Sequence, residues 1–171
     1  MKIKAREITT GCKFEVIKKG DWIDLHAAED IELSSPQAGV QYEKDGKKFR
    51  DVVFEDKLIP LGVAVALAPG YEAVVVPRSS SFRNFNIIQP NSPGVIDYTY
   101  RGTYDEWSLP VVALGPVHIK RGDRICQFRI QLSQKATIWQ KIKWLFTSKI
   151  KFVWVDSLED TSRGGFGTTG K

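Results

Sequence analysis

The sequence predicts an all-β fold, a barrel or jelly roll. Three observations predict it. Short apolar runs rich in β-branched residues recur along the chain, turn-forming residues separate them, and a single stretch shows a helical period. In chain order, residues 40–42 and 49–54 flank Asp45-Gly46, the dipeptide that a tight hairpin turn favours. Residues 63–67 and 71–76 form the next two strands, parted by Pro69-Gly70. Pro93-Gly94 marks a further turn, and residues 109–114 a strand closed by Gly115-Pro116. Arg121-Gly-Asp123 then turns the chain into a strand at 125–132, where Cys126 reads as a small buried hydrophobe.

One segment breaks the pattern. Ile138, Trp139, Ile142, Leu145 and Phe146 are spaced by threes and fours, which describes one face of a short amphipathic helix near 137–148. Lys141 and Lys143 lie off that stripe and Trp144 lies near its edge. The expected arrangement packs the stripe on the barrel and leaves the lysines in solvent, followed by a strand at 151–155.

Composition bounds the class. The 171 residues are 42% hydrophobic and 26% charged, ordinary for one globular domain with a core of its own. No apolar run approaches the ~20 residues of a spanning helix, and the first residues lack the apolar core of an export signal. A cytoplasmic protein with no membrane partner is therefore expected, with Cys12 and Cys126 as reduced thiols. The net charge is +5, from 25 basic and 20 acidic residues. Lys135, Lys141, Lys143, Lys149 and Lys151 are the only charges between 135 and 151, so the excess belongs to one segment. That distribution is not a nucleic-acid footprint, and no nucleic acid is expected as partner. The segment itself, with Trp139 and Trp144, is a candidate docking site for an unidentified protein partner at 135–151.

Several stretches carry chemistry. Arg78 and three serines follow a strand directly, a group of donors suited to phosphate. In Asn91-Ser-Pro-Gly-Val-Ile-Asp97-Tyr-Thr-Tyr100, a carboxylate sits between apolar and aromatic neighbours, and partial desolvation there suits a general base. A Pro-Gly turn exposes backbone groups able to read a base edge, and Tyr100 could pack on a sugar or base. Residues 165–171 read GFGTTGK, close to a P-loop, but the Ser or Thr and the helix that such a loop needs do not follow Lys171. Ordering seven backbones there costs roughly 7–14 kcal/mol, so a ligand with strong acceptors, such as phosphate, is expected to order the tail. His26 and His118 read as structural, and no CxxC or metal cluster is present in the sequence.

Taken in order, Asp24-Leu25…Ala27, Pro77-Arg-Ser79, Asn91-x-Pro-Gly-x-Ile-Asp97-x-x-Tyr100-Arg-Gly102, Gly122-Asp-Arg-Ile-x-Gln127 and Arg163-Gly…Gly-Phe-Gly-x-Thr-Gly170 resemble the five motifs of the trimeric dUTPase family, from about residue 20 to 170. The resemblance implies a jelly-roll-type barrel of the dUTPase-like (β-clip) kind over residues 1–160. It also implies a flexible Gly-rich arm, 161–171, that closes over the site, and a homotrimer whose active sites are shared. It implies hydrolysis of dUTP to dUMP and pyrophosphate by water attack at the α-phosphorus, assisted by Mg²⁺. Asp97 would be the general base and Arg78 would support the site. Asn91, Gly94, Val95 and Ile96 would read uracil, and Tyr100 would pack beneath the deoxyribose. Ser79, Ser80 and Gln127 would hold phosphates. Arg163, Phe166, Gly167 and Thr168 would come from the arm, with Phe166 stacked on uracil. Asp24 would hold the waters of the metal ion.

Departures from the family pattern are Ser79-Ser-Ser-Phe82, where many members have Ser-Gly-Leu-Ala, and a spacing of three residues between Arg163 and Phe166, where five is usual. The additions at 42–57 and 135–151 are similar to those of phage and Gram-positive bacterial members, which implies a bacterial cell or an infected host. The alternative on the same fold is a dCTP deaminase, some of which also hydrolyse dUTP.

Overall fold

Alternation decides which way each strand faces. In Tyr71–Pro77, residues 71, 73 and 75 are buried while Glu72, Val74 and Val76 face outward. In Ile23–His26, Ile23 and Leu25 point in. The computed structural model describes residues 1–16, 20–146 and 149–158. Among these the order is β1 (Lys2–Glu7), β2 (Ile23–His26), β3 (Ile31–Leu33), β4 (Gln37–Lys44), β5 (Lys47–Val53), β6 (Asp56–Pro60), β7 (Val63–Ala66) and β8 (Tyr71–Pro77). Then come α1 (Ser81–Phe85), β9 (Ile87–Ile88), β10 (Gly94–Asp97), β11 (Ser108–Ala113), β12 (Val117–Ile119), β13 (Arg124–Leu132), α2 (Ile138–Phe146) and β14 (Lys151–Trp154).

Small sheets wrap one core, in the jelly-roll manner. Their orders are β14-β1-β7, β10-β8-β13-β2, β6-β11-β9, β12-β3 and β4-β5. Trp107 and Phe128 meet edge-on at 5.1 Å in the middle. Phe14 packs on Phe128 at 5.1 Å and on Phe152 at 4.8 Å, which ties the returning β14 to the barrel. Beyond it Leu158 is held by Thr103, whose Oγ1 donates to the Leu158 carbonyl at 2.8 Å and accepts from its N–H at 3.0 Å. β13 slips register against β2 between Arg124 and Cys126, so Ile125 and Cys126 are both buried. Both cysteines are free, as expected, and burial pushes the Cys126 thiol far up.

The expected hairpin is present. β4 and β5 pair across Asp45-Gly46, whose φ values of 52° and 72° are those of a tight two-residue turn. Nearly every residue of this ribbon is exposed on both faces.

The expected helix is present as α2, but its orientation corrects the expectation. Its apolar stripe does not pack on the barrel: Trp139 is 77% exposed and Leu145 and Phe146 are each 83% exposed. The cause is local. Thr137 and Gln140 form a capping box, with the Thr137 N–H donating to Gln140 Oε1 at 2.8 Å and the Gln140 N–H donating to Thr137 Oγ1 at 3.3 Å. The same Gln140 donates through Nε2 to the Pro69 carbonyl at 2.7 Å, and Trp144 rests on Tyr71 at 5.8 Å. At ~100° per residue, Gln140 and Trp144 lie opposite the centre of the stripe, not at its edge as expected for Trp144, so seating them turns the stripe outward. Among the described residues no helix is long and apolar enough to cross a membrane.

Candidate active site

The expected site residues fall into two groups along the sheet β10-β8-β13-β2, most of them on its outward face. The first group is the hairpin ending in β10. Asn91 is exposed, Ser92 adopts a φ of 57°, and Gly94 begins the pairing with β8 opposite Val75. A side chain at Gly94 would bring its Cβ within 3.1 Å of Gln89 Nε2, so the close approach favours glycine. Val95 is exposed and Ile96 packs towards the core. Asp97 is half-buried, and its Oδ1 accepts the Thr99 N–H at 2.8 Å and the Thr99 hydroxyl. This turn fixes the plane of the carboxylate. Tyr100 packs against the core and its hydroxyl donates to the Glu106 carbonyl at 2.9 Å. Burial, then the carboxylates of Asp105 and Glu106, raise the phenol above its ordinary value, so it stays protonated.

The second group gathers where β8 runs into α1. Arg78 Nε donates to Asp24 Oδ1 at 2.8 Å, and Arg124 Nη1 donates to Asp24 Oδ2 at 3.3 Å. The Arg78 N–H donates to Ser81 Oγ at 3.0 Å, while the Ser81 hydroxyl donates to the Ile125 carbonyl at 2.6 Å. This wholly buried Ser81, one of the departures in the motif, therefore clamps the turn to β13. Ser79 is exposed and Ser80 is half-buried at the start of α1, with a side chain that makes no capping bond. Gln127 stands opposite Asp24 across β13 and β2, and its Nε2 donates to the Pro77 carbonyl at 3.5 Å. His26, on the same strand as Asp24, is held below its ordinary value by burial, with Arg124 and Arg78 adding to the effect and Asp24 opposing it.

The two groups adjoin where Pro77 and Arg78 share a pocket with Ser92 and Pro93 of the hairpin, but their carboxylates do not meet within one chain. Asp97 pairs with Glu72, which pairs with Gln131, whereas Asp24 pairs with Gln127 four residues along β13. Three strand spacings of ~4.8 Å and four residues at ~3.3 Å separate the carboxylates by roughly 20 Å. Arg163, Phe166, Gly167 and Thr168, and with them the whole arm at 161–171, lie outside the described residues.

Among the described residues no cluster of three or more His, Cys, Asp or Glu side chains could hold a metal. Asp24 is the carboxylate available to one. Each of its oxygens already accepts from a guanidinium, which disfavours direct ligation but leaves lone pairs for metal-bound waters. The residues thus fit an ion that arrives with phosphates and keeps its water shell.

The sequence assigns no role to Arg124 or Thr99, and it offers Ser81 as a phosphate donor, which the structure corrects: Ser81 is wholly buried and its hydroxyl is spent on the Ile125 carbonyl. All three stand inside quoted motifs, and the signal for Arg124 is its place three residues before Gln127, at the strand entry facing Asp24.

The family model for dUTPase matches residues 49–169. The chain belongs to the dUTPase family. It is 43% identical over 171 residues to an SPbeta prophage-derived deoxyuridine 5′-triphosphate nucleotidohydrolase of Bacillus subtilis, covering 99% of each chain. It is 39% identical over 120 residues to a deoxyuridine 5′-triphosphate nucleotidohydrolase of Caldanaerobacter subterraneus, covering 68% of this dUTPase chain and 70% of that one. Two solved dUTPases share its fold. That of Streptococcus mutans has a TM-score of 0.56 at 20% identity, over 71% of this chain and 85% of its own. A mutant of the dUTPase from phage phi11 of Staphylococcus aureus, described with a coordinated structural Mg(II) ion, has a TM-score of 0.60 at 16% identity, over 80% and 94%.

Proposed function

We propose that the protein hydrolyses dUTP to dUMP and pyrophosphate, as a homotrimer whose sites are shared between copies. Family membership carries the reading, because the matched span 49–169 contains Arg78, Asp97, Tyr100 and Gln127. The ~20 Å between Asp97 and Asp24 supports a site completed by a second copy, with the Asp97 end of one chain's β10 hairpin facing the Arg78–Gln127 group of another.

In this mechanism the Asp97 carboxylate, oriented by Thr99, takes a proton from a water whose oxygen attacks the α-phosphorus. The bond from that phosphorus to the bridging oxygen breaks, and pyrophosphate leaves with the electron pair. Backbone groups of Asn91, Gly94, Val95 and Ile96 read the base, since a wrong base leaves buried polar groups unpaired. Tyr100, pinned to Glu106, packs against the sugar and leaves little room for a 2′-hydroxyl. Ser79, the Ser80 N–H and Gln127 hold phosphate oxygens, and Arg78 adds charge from a position fixed by Asp24. Arg163, Phe166, Gly167 and Thr168 cover the nucleotide and exclude water. A bound Mg²⁺ supplies charge neutralisation on the triphosphate, its waters held by Asp24. Pyrophosphate and ammonia release from dUTP, UTP, dCTP and dTTP, with and without Mg²⁺, tests the reading. Pyrophosphate from dUTP alone is expected, and ammonia from dCTP would overturn it in favour of the deaminase.

A further inference from the structure

We infer that α2 is a contact between copies of this chain, its outward apolar stripe seated in the acidic groove at the root of the β4–β5 hairpin of the next copy. The inference rests on the homotrimer proposed above and names a contact that would hold it together.

The stripe is unusual for a surface. Ile138, Trp139, Leu145 and Phe146 are 64–83% exposed, on a helix that buries none of its residues. Such a contiguous patch marks an interface more often than free solvent. Its charge has one sign, for no acidic residue occurs between Asp123 and Asp156. The spacing of Ile138, Ile142 and Leu145 is that of a helix laid into a groove.

The same chain carries a surface of the opposite character. Val53, Phe54, Glu55 and Asp56 line a cleft of about 380 Å³ with Ser34 and Ser35. Val53 is 57% and Phe54 44% exposed, two apolar side chains in a cleft otherwise lined by Ser34, Ser35, Gln37, Glu55 and Asp56, whose charged residues are both acidic. Glu55 is held in place by the Ser34 N–H at 2.6 Å. The cleft opens at the foot of a two-stranded ribbon that is exposed on both faces, and such a ribbon is marginal in water without a neighbour.

A basic helix with an apolar stripe and an acidic cleft that presents Val53 and Phe54 on the same chain complement each other in charge and in apolar contact. Two different patches joined head to tail close into a ring when the rotation allows, which is the geometry of a cyclic trimer. A lipid surface or an unrelated protein would engage the helix but leave the cleft without a partner.

The test uses the full chain and light scattering on dilution. The wild type is expected at three times the chain mass. Leu145→Gln with Phe146→Gln, and separately Val53→Gln, should each weaken assembly by about tenfold or more, the effect of leaving an anchor side chain unburied. Lys141→Glu should weaken it too, and adding Asp56→Lys should restore it. In a Leu145→Cys, Val53→Cys chain, oxidation should give a ladder of two and three linked chains. A wild-type trimer whose dilution behaviour these changes leave intact overturns the contact while the trimer stands. A wild-type monomer removes both. A crosslink confined to single chains places the helix in its own cleft and also overturns the inference. So does binding of the wild type to anionic phospholipid vesicles with assembly unchanged in the variants.

Discussion

Asp24 joins two arginines that the structure ranks differently, and double-mutant cycles can measure the difference. The Arg78 bond is 2.8 Å long between side chains 25% and 21% exposed. A hydrogen bond to a charged group contributes about 1.5–3 kcal/mol, and partial exposure puts this one near the lower end, about 1.5–2 kcal/mol. The Arg124 bond is 3.3 Å long and that arginine is 58% exposed, so it behaves as a surface pair of about 0–1 kcal/mol. Cycles of Asp24→Ala with Arg78→Ala, and of Asp24→Ala with Arg124→Ala, isolate the two couplings. Urea unfolding at fixed protein concentration gives the free energies, provided the slope is unchanged. The Arg78 coupling should be about 1.5–2 kcal/mol and survive salt near 1 M, where the screening length is ~3 Å. The Arg124 coupling should be about half that or less and vanish in the same salt. Equal couplings, or an Arg78 coupling below about 0.5 kcal/mol, would refute the view that Asp24 positions Arg78.

Trp107 is wholly buried with an Nε1–H that has no hydrogen-bond partner among the described residues, so Trp107→Phe trades lost packing on Phe128 for relief of that donor. Its stability should stay within about 1 kcal/mol of wild type by urea titration, against about 3–5 kcal/mol lost in Trp107→Ala. A loss well beyond that in the Phe variant would show that the indole N–H is satisfied. His26 has a folded value below its ordinary 6.5, so its contribution to stability is present above pH ~6.5 and is lost as pH falls through the folded value. His26→Gln should therefore flatten the acid fall of the urea midpoint below pH ~6.5, and superimposable profiles would remove His26 from the account. Tyr100→Phe deletes the bond to the Glu106 carbonyl and should cost about 0.5–1.5 kcal/mol in the same titration. Tyr100→Ala should narrow the preference for dUTP over UTP in parallel kcat/KM measurements, and an unchanged ratio would place the sugar gate elsewhere.

Strand content was legible because alternation and turn chemistry act locally. The hairpin at Asp45-Gly46, the strand ending at Pro77 and the family motifs were all readable without contacts. β1 was not read as a strand, because Lys2–Glu7 is mostly polar and offers only Ile3 and Ala5 to the core. The helix was legible from its period, but its orientation was not. That was set by Gln140 and Trp144, which find partners at Pro69 and Tyr71, residues about 70 positions away. The motifs named Asp97 and Asp24 in one site, yet chain order does not reveal the strand order β10-β8-β13-β2 that puts them at opposite edges. Arg124 gained its role, and Ser81 its corrected one, only from that packing.

The central claim is that Asp97 is the base in dUTP hydrolysis. The most direct measurement is single-turnover pyrophosphate release by wild type and Asp97→Asn, with dUTP affinity measured on both. The account predicts that the variant binds dUTP nearly as well and turns over about 10²–10⁴-fold more slowly, the usual worth of a general base. Turnover within a few-fold of wild type would contradict it.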